Sequence, residues 1–251
     1  MRIAVVGGKG TLGQHVTAEL SRRGHDARVL SRSGEYRVDL TTGEGLTRAL
    51  AGCDAVVDAS NASRRAAQVL VEGSRRLLAA EAEAGVSHHV CVSIVGCDQV
   101  PMGYYKVKTA QEKVVGQSAV PWSVVRATQF HELAAAALTA AGRYHVVPVP
   151  GMKLQTIAAA EVADAVADVA EAAPLLGQIQ VAGPQTCTAA ELARAWREIT
   201  GRKALLLPVP VPGAIGRALR DGALTAAKPD ISGTTPFAAW LEARQRAAVT
   251  G

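Results

Sequence analysis

The sequence lacks any apolar run near the ~18 residues that a membrane-spanning helix requires. It also begins directly on a strand-like segment, with no charged and apolar leader before it, so the expectation is a cytoplasmic protein without a membrane partner. Cysteine is scarce: Cys53, Cys91, Cys97 and Cys187 show no CxxC or Cys/His spacing. Neither a disulfide framework nor a metal site is therefore expected. Aromatic residues make up 4% of the chain, and its 27 basic residues are spread along it rather than clustered with them. That pattern speaks against nucleic acid and favours an anionic small molecule as the partner of a chain with net charge +5. Internal repeats and low-complexity linkers are missing as well. What is present is a chain of 251 residues, 49% of them hydrophobic, which is enough for a sizeable core in one domain.

The strongest local pattern is the opening MRIAVVGGKGTLGQ. Residues 3–6 are β-formers that end abruptly in glycine, and residues 11–23 alternate as an amphipathic helix does. A strand, a tight turn and a helix are predicted. The spacing reads two ways, as GxGxxG through Gly8, Gly10 and Gly13, or as GxxGxxG through Gly7, Gly10 and Gly13. In either register the backbone can approach a diphosphate closely, and the helix start at Thr11 and Leu12 offers free N–H groups and partial positive charge.

A second strand over residues 27–30 completes a βαβ unit, and its tip decides which dinucleotide fits. An acidic residue there would hold a ribose diol; this chain has Ser31, Arg32 and Ser33, which suit a 2′-phosphate, with Lys9 in the glycine turn within reach. NADP(H) is thus expected over NAD(H). A third strand over 36–40 ends in Asp39 and Leu40, where Asp39 suits either an adenine amino group or a turn before Thr41 and Thr42. A helix is expected over 44–51, and a fourth strand over 55–58 runs into Ala59, Ser60 and Asn61, small residues that leave room for a cofactor. Asn61-Ala62-Ser63 spells a glycosylation sequon expected to be silent. Residues 64–84 read as one long helix.

The fifth strand, over 90–94, has Ser93 at its carboxyl end, where ligands bind in open α/β sheets. His88 and His89 lie at the opposite end and are expected to be structural. A helix running from about 104 to 117 opens with Tyr104 and Lys108, which share a face at a spacing of four. A cation there would favour phenolate and lower the tyrosine pKa, giving a proton donor and acceptor near neutral pH.

With these motifs in place the chain resembles the short-chain dehydrogenase/reductase superfamily, in particular its atypical NmrA-like branch of NAD(P)-binding proteins. The resemblance covers nearly the whole length and rests on VVGGKGTLG, Ser31-Arg32, Asp39-Leu40, YYKVKTAQE, PWSVVRATQFHE, IAAAEVADAVADV and GQIQVAGP. It implies a Rossmann-type sheet, with Tyr104 as proton donor, Lys108 on the nicotinamide ribose and Ser93 polarising a substrate carbonyl. It further implies Lys9 and Arg32 on the 2′-phosphate. Two departures stand out: the interval from Ser93 to Tyr104 is slightly short, and in the NmrA-like branch the tyrosine is often missing while the lysine stays.

Beyond a sixth strand over 123–126, Ala127, Thr128 and Gln129 are expected where nicotinamide and substrate meet. His131 is either a second proton donor or a helix cap and pocket wall. A short strand is expected over 143–149, broken by Pro148, Pro150 and Gly151, and the loop that follows over 152–155, carrying Met152, is a candidate substrate wall. Then follow a helix over 157–173, a strand over 178–181, and a helix over 189–200 capped by Thr188 with Glu191 completing a capping box. Residues 205–235, rich in proline and glycine, read as an irregular lid, a dimer contact or an edge cover, before a final helix over 236–247.

The expected architecture is α/β: a doubly wound parallel sheet in one domain spanning 1–251. Its core covers about 1–130 plus the strand 178–182, and a small interleaved C-terminal substrate lobe covers about 130–156 and 183–236. The expected activity is NADPH-dependent reduction of a small carbonyl, quinone or enone, and the alternative is an NADP(H)-binding redox sensor.

Overall fold

The computed structural model describes residues 1–250, with side chains through Ala248. The chain opens with β1 (Arg2–Val6), α1 (Thr11–Arg22) and β2 (Asp26–Ser31), followed by the two-residue β3 (Tyr36–Arg37), α2 (Leu46–Leu50) and β4 (Ala55–Asp58). A π-helical turn, Ala67–Glu72, leads into α3 (Gly73–Ala84); then come β5 (His88–Ile94), α4 (Gly103–Gly116), β6 (Trp122–Ala127) and α5 (His131–Gly142). The remainder is β7 (Val146–Pro150), β8 (Lys153–Leu154), α6 (Ala159–Glu171), β9 (Gly177–Ala182), β10 (Cys187–Thr188), α7 (Ala189–Thr200), β11 (Leu205–Val209), α8 (Gly213–Asp221), β12 (Ile231–Ser232) and α9 (Phe237–Thr250).

Eight strands form one sheet in the order β12-β9-β6-β5-β4-β1-β2-β3, and every paired neighbour in it is parallel. From β1 the chain winds outward to β3 and then crosses back to β4, so the winding reverses between β1 and β4. In open α/β sheets such a switch point leaves a crevice beyond the carboxyl ends of the strands. The strands are apolar on both faces because both are covered. Ile3, Val5, Val57, Val90, Val92 and Val125 pack under α1 and α6, while Ala4, Val6, Leu30, Val56, Cys91 and Val124 pack under α2, α3 and α4.

A third core lies off the sheet. Fully buried Trp196 on α7 sits among Val147, Val149, Leu192, Phe237 and Leu241, and its indole N–H donates to Thr139 Oγ1 at 3.2 Å. The capping box that starts α7 is present in both directions: Thr188 Oγ1 accepts from Glu191 N–H, and the Glu191 carboxylate accepts from Thr188 N–H at 2.7 Å.

Three segments differ from the sequence expectation. The third strand is only two residues long, because Asp39 is drawn into a turn. The 64–84 helix begins with the π-helical turn rather than with α-geometry. Residues 205–235, expected to be irregular, contain β11, α8 and β12. Their prolines mislead as breakers: Pro208 sits on a strand flank that needs no ladder N–H, and Pro212 is the residue immediately before α8. One part of this segment does cover an edge, since β12 pairs with β9.

Candidate active site

The glycine turn is built by close packing. Gly7 has φ +72°, and a Cβ on it would lie 2.8 Å from the Ala59 carbonyl oxygen; one on Gly13 would lie 2.2 Å from the Gly7 oxygen and 2.7 Å from Gly8 Cα. Gly8 is tight as well, with a Cβ 2.9 Å from Val29 Cγ1. Gly10 is different: it is exposed, and a Cβ there would meet one atom, the Gly7 oxygen, at 3.1 Å. Internal packing thus accounts for Gly7, Gly8 and Gly13, while Gly10 keeps the outer side of the turn clear.

At the start of α1 Gly10 supplies no side-chain cap, and the N–H groups of Thr11, Leu12 and Gly13 have no intrahelical acceptor. These are the conditions for anion binding. Across the crevice, Ser60 packs against Gly7, and its hydroxyl is buried without a hydrogen-bond partner. A buried hydroxyl of this kind costs stability unless something satisfies it, so the cradle fits a ligand with polar oxygens.

The tip of β2 gathers cations and hydroxyls. Lys9 Nζ donates to Ser33 Oγ at 3.2 Å, the Ser31 hydroxyl donates to the Ser33 carbonyl, and Arg32 stands exposed beside them. Asp39 takes the turn reading: Oδ1 accepts from both Thr41 N–H and Thr41 Oγ1 at 2.7 Å, bonds that hold its carboxyl below the usual range. Leu40 is buried beneath the same corner, against Gly73.

Lys108 is 3% exposed, and its ammonium donates to the Val92 carbonyl at 2.8 Å and to Gln111 Oε1 at 2.5 Å. The β4–β5 register ends at Asp58 opposite Cys91, so β5 outruns β4 and the lysine serves a carbonyl beyond the ladder. Gln111 Nε2 in turn donates to Asp58 Oδ2 and to Ser74 Oγ, each at 3.0 Å. The other Asp58 oxygen accepts from Ser60 N–H at 3.0 Å. A buried lysine and a buried aspartate are thereby joined through one amide, and the aspartate fixes the turn that packs on Gly7. Sequence reasoning missed Asp58, Ser74 and Gln111. Gln111 carried a usable signal, being three residues from Lys108 on one helix face; nothing local marked the other two.

Tyr104 donates to Asn61 Oδ1 at 2.8 Å. Burial and the neighbouring Tyr105 push its pKa up, the reverse of the lowering expected from a lysine on its face. The reason is geometric: Lys108 gives its protons to Val92 and Gln111, and among the described residues no hydrogen bond joins it to Tyr104. Ser93 is buried, with Oγ 3.9 Å from Cys97 Sγ.

On the β6 side, Thr128 N–H donates to the Val181 carbonyl and its Oγ1 accepts from Gly183 N–H at 3.2 Å. Gln129 holds the distal segment, with Nε2 on the Leu224 carbonyl at 2.9 Å and Oε1 accepting from Gln155 N–H. His131, a candidate for substrate contact, has no exposed surface; its Nε2 meets the Thr235 carbonyl at 2.9 Å and its ring packs on Phe237 and Trp240. It is a wall of the lobe. Met152 is half-buried among lobe side chains. His88 and His89, read as structural, are buried on Ser123 and Glu81.

A family model described as NAD(P)H-binding matches residues 7–173, a span that begins at the glycine turn and ends after α6. The chain belongs to the NAD(P)H-binding family. One relative is the photosystem II assembly factor Ycf39 of Synechocystis, 31% identical over 147 residues that cover 52% of this chain. The match spans 45% of that protein's length. Among solved structures, a nucleoside-diphosphate-sugar epimerase from Staphylococcus aureus superposes with a TM-score of 0.80 at 16% identity, over 96% of this chain and 100% of that one. The NADPH complex of an NADPH-dependent quinone oxidoreductase from Escherichia coli gives 0.79 at 19% identity, over 97% and 99%. At these identities the likeness shows the fold alone, a Rossmann-type α/β sheet.

Proposed function

We propose that this NAD(P)H-binding protein is an NADPH-dependent reductase of a small carbonyl, quinone or enone. The observation that carries the reading is a single crevice with two equipped walls. One wall is the glycine turn, with Lys9, Ser31, Arg32 and Ser33 at its flank. The other is the 58–61 loop, whose Ser60 packs on Gly7 and whose Asn61 holds the Tyr104 hydroxyl.

The Thr11, Leu12 and Gly13 amides and the clear face of Gly10 suit the diphosphate, and Lys9 with Arg32 suits a 2′-phosphate. Bound NADPH supplies a hydride equivalent. Tyr104 keeps its proton because burial disfavours phenolate, so the chain brings a proton-bearing hydroxyl to the mouth of an open groove of about 630 Å³ between the π-helical turn and α4. Asn61 orients that hydroxyl, and the network around Asp58 keeps Lys108 and the Gly7 wall in register.

A second reading, a non-catalytic NADP(H) sensor, is favoured by one observation: the Lys108 ammonium is already taken up by Val92 and Gln111. One experiment separates the two. Binding of NADPH and NADH is titrated by fluorescence, and NADPH oxidation is then followed across a panel of quinones, enones and aldehydes. The reductase reading expects tighter binding of NADPH than NADH and turnover with at least one acceptor. Tight binding with no turnover supports the sensor, and failure to bind either nucleotide removes both.

A further inference from the structure

In the C-terminal lobe β7 and β11 form a two-stranded parallel sheet that pairs Leu205 with Val146, Leu207 with Pro148 and Val209 with Pro150. Strand alternation sends these six side chains to one face, and sends Val147, Val149 and Leu206 to the other, where they join the Trp196 core. The first face is open: Leu205 is 63% exposed, Leu207 48%, Val146 39% and Val209 37%. A sheet with one solvated face ordinarily alternates polar residues onto it. Here every outward position is aliphatic, and a contiguous patch of this kind marks an interaction surface.

The edges of this sheet are poor templates for further strands. Leu205 N–H donates to the His145 carbonyl, so the backbone groups of Leu205, Leu207 and Val209 face β7, while those of Leu206 and Pro208 face outward. On β7 the outward positions are Val146, Pro148 and Pro150. Prolines at these positions remove the donors that an added strand would need. A partner therefore meets the face, not the edge.

The surroundings say what kind of partner. The two loops that feed the first residues of β7 and β11 carry Arg143, Tyr144, His145, Arg202 and Lys203, all exposed, with Tyr144 at 82%. Arg143, Arg202 and Lys203 make no ion pair among the described residues. Glu198 is the acidic side chain in the depression that Arg202, Lys203 and Leu205 share with Arg197. At the opposite end α8 adds exposed Arg217 and Arg220, with Asp221 beside them. Because both ends are predominantly basic, a second copy laid face to face in either direction would bring like charges together. Protein partners favour aromatic and arginine anchors at the centre of a patch, and this centre holds only leucine, valine and proline. An aliphatic centre with a cationic, tyrosine-bearing rim matches an anionic bilayer surface, where apolar groups enter the headgroup boundary and lysine and arginine meet lipid phosphates.

We infer that the outer face of the β7–β11 sheet docks this protein peripherally on an anionic lipid membrane. The sequence expectation of no membrane partner rested on the missing span. No helix among the described residues is long and apolar enough to cross a membrane, and interfacial docking needs none. The inference stands independently of the cofactor and of any activity.

The test is flotation of the full chain with vesicles of phosphatidylcholine alone or with about 30% phosphatidylglycerol, at low and high salt. Thermal melting serves as the fold control. The chain is expected to partition onto anionic vesicles at low salt, and roughly 10-fold less onto neutral vesicles or at high salt. The double variants Leu205→Gln/Leu207→Gln and Arg202→Glu/Lys203→Glu, whose side chains are already exposed, should each lower partitioning by roughly 10-fold with unchanged melting. No partitioning onto anionic vesicles at low salt overturns the inference, as does wild-type partitioning by both variants. A concentration-dependent dimer that the leucine variants dissolve, without vesicle binding, assigns the face to a second copy instead.

Discussion

At the Gly7–Gly13 turn the groups offered to a ligand are backbone amides, and the fold leaves them without partners. On α4 the groups are side chains, and the fold supplies partners for each: Val92 and Gln111 for Lys108, Asn61 for Tyr104. The difference is one of readiness. An amide at a helix N-terminus cannot be satisfied inside its own helix, so a site made of such groups exists as soon as the helix does. A lysine or tyrosine finds local acceptors, and a ligand has to displace them. The turn is preformed for binding, whereas the α4 groups act only if those hydrogen bonds are exchanged.

The strongest way to break this comparison is at the turn itself. Gly13→Val forces side-chain carbon into the Gly7 carbonyl, and should cost about 3 kcal/mol in stability and weaken NADPH by ~100-fold or more. Near-wild-type affinity in a fluorescence titration would show that the anion is held elsewhere. Lys108→Met removes the donor to two buried acceptors and should cost a comparable ~3 kcal/mol in chemical unfolding. If the hydrogen bonds of Lys108 tie it to the fold rather than to a ligand, NADPH affinity falls far less than stability does; an equal loss of both would make Lys108 a ligand contact already.

The β2 tip offers a more selective probe. Arg32→Ala should weaken NADPH by ~10-fold while leaving NADH unchanged, and parallel losses for both nucleotides would take Arg32 off the 2′-phosphate. Tyr104→Phe should cost the fold about 1 kcal/mol for the lost bond to Asn61, with turnover reduced if the hydroxyl delivers the proton. Because burial raises the Tyr104 pKa, the folded state holds that proton more tightly than the unfolded chain does. Its contribution to stability is therefore complete below the ordinary tyrosine value of about 10 and is lost as pH rises through the folded value. Any turnover should accordingly show no Tyr104 transition between about pH 6 and 9; a phenolic transition there would mean that a cation reaches the hydroxyl during the reaction.

The parallel sheet and its glycine turn were legible because their signals are local. Strands buried on both faces read as short runs of valine and isoleucine, and glycines that must pack backbone on backbone announce themselves. The Thr188–Glu191 cap was legible for the same reason. Asp58 and Ser74 were not, since they meet Gln111 across separations that no local pattern encodes. His131 read as either a proton donor or a cap and pocket wall, and the groups that bury it, Thr235, Phe237 and Trp240, lie more than a hundred residues away in sequence. The prolines of 205–235 suggested disruption because their effect depends on which side of a strand their missing N–H faces, and pairing decides that. The expected influence of Lys108 on Tyr104 failed for a related reason: sharing a helix face permits contact without compelling it.

The edge strand β12 carries a consequence for how the chain is made. Its two residues pair with the end of β9, Asp230 accepts from Gln180 N–H at 2.7 Å, and Gly233 N–H donates to the Ala182 carbonyl. Some fifty residues of synthesis separate this seal from the strand it protects, an interval of several seconds at ~5–20 residues per second. Throughout that interval β9 presents an unpaired parallel edge to whatever lies nearby. Aggregation during expression should therefore be governed by residues 230–233, at the far margin of the sheet from the glycine turn.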